Sequence, residues 1–311
     1  MKNLQKLITL IIAVTVFCSC EDTIYPELEE ADPQIVIDAW INNAPEPQYI
    51  RISETLPYFD SLSNSGIENA AVYIIDNEGG LKIDFVDNSN GMYEWVPTPG
   101  IPQIGTIGNS YTLFVEIGGN VYTSTSLLNR VPEIDSITFS YKKDYIYPEG
   151  YYAQFYANDF VGPGDTYWIK AYKNGTYLNK PEELSLAFDA GFAAGSNVDG
   201  ITFLELIRDM INPHDNDAAG DEMPSYTPGD SVFVEIHSIN YEAYTYLSEL
   251  IIQTNRPGGF AELFSVPLAN VPTNIVSMGT VNQKPLGFFN MSAVSSLGKW
   301  LDPDNLPVSE N

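Results

Sequence analysis

The sequence predicts a mainly β protein: an all-β sandwich or barrel, followed by a second β-rich domain (sandwich or barrel) with one packed helix. Three observations carry this. Short runs rich in β-branched and aromatic residues recur along the chain. Gly, Asn and Pro punctuate them at roughly the 8–12-residue spacing of sandwiches and barrels. One segment alone sustains helical spacing.

The elements follow in order. QIVIDAWI (34–41), YIRISETL, AAVYIIDNEGG, LKIDFVDN, GMYEWV and YTLFVEIGGNVYTSTS (111–126) are strand candidates. Gly118-Gly119, between two alternating runs, predicts a hairpin turn, because tight hairpin turns need positive φ. A first domain is expected over 34–130, since RVPEIDSITFSY restarts the pattern after Pro132. In the second, 131–311, the strand candidates are SITFSYK, YYAQFYAND, DTYWIKAYKNG, DSVFVEIHSI, FAELFSV (260–266) and LGFFNMSAVS. The helix is expected over 240–254: Asn240 can cap it, Tyr244, Leu247 and Ile251 share a face, and NRPGG stops it. Thr202–Ile211 fits a short helix or a strand equally.

The amino-terminal end reads as a leader. Lys2 and Lys6 precede an apolar run, Leu7–Phe17, that is too short for a span needing roughly 20 residues. Cleavage wants a small residue before the cut. Cutting before Cys18 would offer Phe17, whereas cutting before Cys20 offers Ser19. Phe17-Cys18-Ser19-Cys20 resembles a lipobox, which makes 1–19 a lipoprotein signal peptide and Cys20 the acylated residue, leaving no free thiol in the mature chain. Residues 20–33 then form an acidic tether. Glu21, Asp22, Glu27, Glu29, Glu30 and Asp32 repel one another, and extended residues at about 3.3 Å each let it reach roughly 40 Å. Acidic residues directly after such a cysteine also resemble a surface-export signal, so the expected location is the outer membrane, facing the cell surface.

Charge narrows the partners. The chain has 14 basic and 41 acidic residues, a formal charge of −27. Losing Lys2 and Lys6 with the leader makes the mature chain still more acidic. Nucleic acid and anionic membrane surfaces are therefore not expected partners, since both are met by basic patches.

Taken in order, IVIDAWINN, YIRISETLPYFDS, IENAAVYIIDNEG, VPEIDSI, GDSVFVEIHSINYEAYTYL, ELFSVP, NIV and LGFFNMSAVS resemble the lipoprotein family called domain of unknown function 4249, typical of Bacteroidetes. The resemblance implies an outer-membrane lipoprotein whose first domain is an immunoglobulin-like or prealbumin-like antiparallel β-sandwich. It further implies the company of TonB-dependent outer-membrane transporters, and it supplies no catalytic residues. NIVSMGTVNQKPLGFF departs from the family's Asn-Ile-x-Asn and Gly-Tyr-Phe, which bears on one loop.

Residues that could do chemistry are few. The two histidines are His214 and His237, and His237 lies inside a strand candidate, where a structural role is expected. The Gly-x-Ser-x-Gly elbow and His-Glu-x-x-His are absent, as are phosphate-cradling glycine loops; Ser296-x-x-Lys299 lacks the other pieces of a Ser–Lys hydrolase. No enzyme is expected. In NPHDNDAAGDEMPSYTPGD (212–230), Asp215, Asp217 and Gly220 match positions 1, 3 and 6 of a calcium loop, but Ala219 and Tyr226 stand where oxygen ligands are wanted. Asp221 and Glu222 could complete a calcium site of another geometry; a solvated acidic loop is the alternative. Tyr145, Tyr147, Tyr151 and Tyr152, around the turn YPEG, are the candidate partner or ligand contacts, because aromatics supply large contact area at low entropic cost. The expected function is a non-enzymatic accessory or substrate-capture partner of a TonB-dependent transporter. The alternative is a structural or adhesive envelope module without a small ligand.

Overall fold

The structure is a computed structural model, and it describes residues 32–57, 66–143, 148–195, 198–279 and 284–308. The leader, Cys20, nearly all of the tether, Tyr145 and Tyr147 lie outside the described residues. The described chain is mainly β, as the sequence predicts. β1 (Ile35–Asn42), β2 (Gln48–Glu54), β3 (Ala71–Asp76), β4 (Lys82–Asp87), β5 (Met92–Trp95), β6 (Ser110–Ile117) and β7 (Asn120–Leu127) come first. β8 (Ile134–Lys142) and β9 (Gly150–Ala157) form a ribbon, and β10 (Thr166–Lys173), β11 (Thr176–Tyr177), β12 (Ser185–Phe188) and β13 (Ser231–Ile239) follow. β14 (Val276–Ser277), β15 (Leu286–Ser292) and β16 (Val294–Trp300) complete the set, with short helices α1 (Glu205–Asp209) and α2 (Tyr241–Thr254) between.

Among the described residues, nine strands make one curled sheet in the order β14-β7-β6-β3-β4-β5-β2-β1-β15. Period-2 alternation explains the curl. Ile37, Ala39 and Ile41 of β1, Ile50 and Ile52 of β2, and Leu113 and Val115 of β6 all point into one core, so the two halves of the sheet face each other. Fully burying each of the Ile, Leu and Val side chains stabilises the fold by about 1.5–3 kcal/mol, and the Ala39 methyl by less. Gly118 and Gly119, both at positive φ, turn the β6–β7 hairpin.

One edge departs from the antiparallel sandwich the family resemblance implies. β15, from near the carboxyl-terminal end, pairs in parallel with β1, so the sheet is mixed. Gly287 makes this possible: it sits at φ +89°, and a Cβ there would lie 2.0 Å from the Ile37 carbonyl oxygen. β15 thus links residues beyond 131 to the sheet formed by residues before 130, and Pro33–Asn311 is one compact unit.

The second sheet runs β11-β10-β13-β16, with β12 also on β10. The β8–β9 ribbon covers its inner face, burying Ile137, Phe155, Tyr167, Ile169, Val234 and Ile236 together. The outer edge of β9 is closed by the following loops: Phe203 N donates to Ala157 O, Tyr226 N to Tyr151 O, and the Asn212 side chain bonds both backbone groups of Ala153. An edge left bare would invite pairing with another chain. Asn240 caps α2 by accepting from Ala243 N at 2.7 Å, and Ala243 and Leu247 bury against Leu186, Ile239 and Phe288. Thr202–Ile211 contains the short α1. The expected strand FAELFSV is instead a 3₁₀ turn, Gly259–Phe264, whose large side chains face solvent. Among the described residues, no helix is long and apolar enough to cross a membrane.

Candidate functional site

The loops that close β9 also build a small cavity. β8 supplies Lys142, β9 supplies Tyr152, α1 supplies Asp209, and the following loop supplies Asn212, His214 and Glu222 around about 160 Å³. Tyr152 and Glu222, from two separate sequence candidates, therefore meet here. Lys142 Nζ lies 3.4 Å from Asp209 Oδ2, and Gln154 Nε2 donates to Asp209 Oδ1 at 2.8 Å. His214 Nδ1 lies 3.7 Å from Glu222 Oε1 with both groups half in solvent. Tyr152 is buried and donates its hydroxyl to Pro148 O, so it forms a wall of the cavity. Tyr151 meets Tyr141 edge-on at 4.9 Å and stays partly exposed. Small-molecule sites typically enclose about 300–1,000 Å³, so this cavity is smaller than a typical one.

Two carboxylates of the acidic loop are spent within the fold. Asp215 pairs with Lys180 at 2.8 Å, and Asp217 Oδ1 accepts from Ala219 N and Asp221 N, folding a turn. Among the described residues, the acid groups that converge to within 4.8 Å are others: Asp159, Asp189 and Asp199. Asp159 accepts from Tyr167 Oη at 2.6 Å and from Gly200 N, Asp189 from Gly164 N and Asp165 N, and Asp199 from Gly162 N. Burial pushes the Asp159 carboxyl up, and the charges of Asp165 and Asp189 add to this, against the Tyr167 and Gly200 hydrogen bonds. An all-oxygen set of this kind could hold a hard cation such as calcium. No local motif announces it, since its members come from two loops some 30–40 residues apart.

A third cluster fills the junction between the two sheets. The side chains of β1 that face away from the first core, Asp38 and Trp40, meet those of β10 and β13 that face away from the second, Trp168, Lys170, Glu235 and His237. Trp40 stacks on Phe288 at 5.5 Å and meets Trp168 edge-on at 5.1 Å, while Lys170 Nζ lies 4.1 Å from the Trp168 ring centre. His237 is only 3% exposed, with Nε2 3.0 Å from Glu235 Oε2. Burial, then the Lys170 charge, pushes its pKa down to about 4. The ring is therefore neutral at pH 7, and Nε2–H donates to Glu235. Glu235 is held below the usual carboxylate range in spite of its burial by that hydrogen bond, the Lys170 charge and the Tyr172 hydroxyl. Asp38 is exposed to solvent yet crowded from beneath by both layers, and that crowding pushes its carboxyl up against the pull of Trp40, Lys170 and Arg51. Burial likewise lowers Lys170. The Trp168 indole N–H is buried without a hydrogen-bond partner.

Ser296 and Lys299 stand three apart on β16, so their side chains leave opposite faces of the strand, and Lys299 donates to Ile137 O at 2.7 Å. What the two sheets and these clusters define is a mainly β module in which the polar groups chiefly bind loops and layers to one another. Residues 21–297 match the family model described as Domain of unknown function (DUF4249), and the chain belongs to that family. A search of curated proteins returns no match.

Proposed function

We propose that the chain is a non-enzymatic outer-membrane lipoprotein, anchored through acylated Cys20 and facing the cell surface, that captures substrate for a TonB-dependent transporter or covers it. The observation that carries this reading is the β8–β9 ribbon. Tyr152, which lines the 160 Å³ cavity, and partly exposed Tyr156 share one face of it, and partly exposed Tyr141 and Tyr151 meet at the end of the other, an arrangement of aromatic contact area suited to a protein partner. His237, locked between Glu235 and Trp168 and held neutral, is spent on joining the layers and supports a role outside catalysis. We also read residues 34–130 as the immunoglobulin-like or prealbumin-like sandwich of the family. The all-antiparallel pairing of β1 to β7 around one core supports that reading.

The test is to tag the carboxyl terminus, solubilise outer membranes in mild detergent and identify co-purifying proteins by mass spectrometry. A roughly stoichiometric TonB-dependent transporter is expected. The chain purifying alone in more than one detergent would sink the accessory reading and favour a structural or adhesive module.

A further inference from the structure

In a chain with 41 acidic and 14 basic residues, the stretch 250–279 carries one of each. These two, Arg256 and Glu262, pair with each other. Arg256 also donates to Val266 O at 2.9 Å, and Ala269 N donates to the Gln253 side chain at 3.1 Å, so residues 256–269 fold back on the end of α2. The polar groups of this loop thus bond inward, and its apolar side chains are left outside. Phe260, Leu263, Phe264 and Leu268 are 77%, 75%, 80% and 69% exposed, and Val266, Val276 and Met278 are exposed as well. Isolated exposed apolar residues need no explanation, but a grouped set marks a surface that meets something apolar.

We propose that this face lies on the lipid surface to which the chain is anchored. The inference rests on the anchored reading above. Three features select a bilayer as the occupant. First, the chain enters the fold beside the carboxyl-terminal end of this stretch: Gln34, just before β1, lines a cavity of about 570 Å³ together with Val271, Pro272, Ile275 and exposed Val276. A tether over residues 21–33 that reaches at most roughly 40 Å would keep this end of the fold close to the membrane. Second, the strongly acidic remainder of the chain is repelled by anionic headgroups, whereas a face with one internally paired charge couple can approach them. Third, Phe and Leu on a projecting turn are the side chains that enter the boundary between headgroups and acyl chains, and a lipid plus a second apolar contact holds a protein more stably than either alone.

The mature lipidated chain, with Phe264→Cys carrying an environment-sensitive fluorophore, is placed in phosphatidylcholine vesicles containing nitroxide-labelled acyl chains. The same label at Val86, exposed on β4 and four strands from β14 in the sheet, is the control. The label at 264 is expected to shift to the blue and to be quenched several-fold more than the label at 86. A second chain, with residues 1–20 replaced by a histidine tag, carries the same labels and is held on the vesicles by a chelator lipid. Mass spectrometry showing no acyl chain on Cys20 would sink the anchored reading, while the tag-held chain still tests this face. Equal quenching at both positions in the tag-held chain overturns the inference. So does shielding of position 264 without vesicles that grows with protein concentration, which would assign the face to a second copy. Phe260→Ser with Leu263→Ser should reduce the quenching contrast several-fold at an unchanged melting temperature.

Discussion

His237 ties the stability of the fold to pH, and the size of the effect follows from its surroundings. Glu235 accepts from it on the same strand, Lys170 and Trp168 face it from β10, and burial leaves it 3% exposed. Its pKa falls from 6.5 to about 4. Between those values the unfolded chain takes up a proton that the folded chain refuses, so stability decreases as pH drops through the window. At about 1.4 kcal/mol per pH unit the whole window is worth about 3 kcal/mol, and about 2 kcal/mol of it is lost between pH 7 and pH 5. His237→Gln keeps an amide donor for Glu235 and removes the titration. Urea unfolding followed by tryptophan fluorescence at pH 7, 6 and 5 measures both chains, and carboxylate effects common to the two cancel in the difference. The wild type should lose about 2 kcal/mol more than the variant on going to pH 5. Parallel pH dependences would refute the reasoning, as would imidazole NMR in which His237 titrates near 6.5.

Three further outcomes are expected. Gly287→Ala forces a Cβ to 2.0 Å from Ile37 O at a positive φ, so it should push β15 off β1 and cost more than about 3 kcal/mol, read as a large fall in the urea midpoint or in soluble yield. Asn212→Ala strips the side-chain hydrogen bonds from both backbone groups of Ala153, a loss of about 2–4 kcal/mol, with faster amide exchange at Ala153 as the local readout. Asn240→Ala removes the cap of α2 and should cost about 1 kcal/mol, whereas Asn240→Asp should restore most of it.

What was legible in the sequence was what neighbours in the chain decide. Period-2 alternation put Ile37, Ala39 and Ile41 on one face, Gly118-Gly119 marked a turn that needs positive φ, and Asn240 with an apolar helical face marked α2. Glu235 and His237 were likewise bound to share a face, being two apart on a strand. FAELFSV misled because apolar content alone resembles a strand. The segment pairs with no edge, and the Gly258-Gly259 pair, at positive φ, starts a turn instead. The parallel β1–β15 pairing, the convergence of Asp159, Asp189 and Asp199, and the meeting of Trp40 with Trp168 were invisible for one physical reason. Each joins segments far apart in the chain, where no local preference acts and only the closing of the two cores decides which side chains arrive together. The sequence by itself determined the strands, the turns and the charge, because these depend on backbone preference and composition. The tertiary structure alone decided which polar groups were buried and which apolar ones stayed outside, because burial belongs to the whole packed chain.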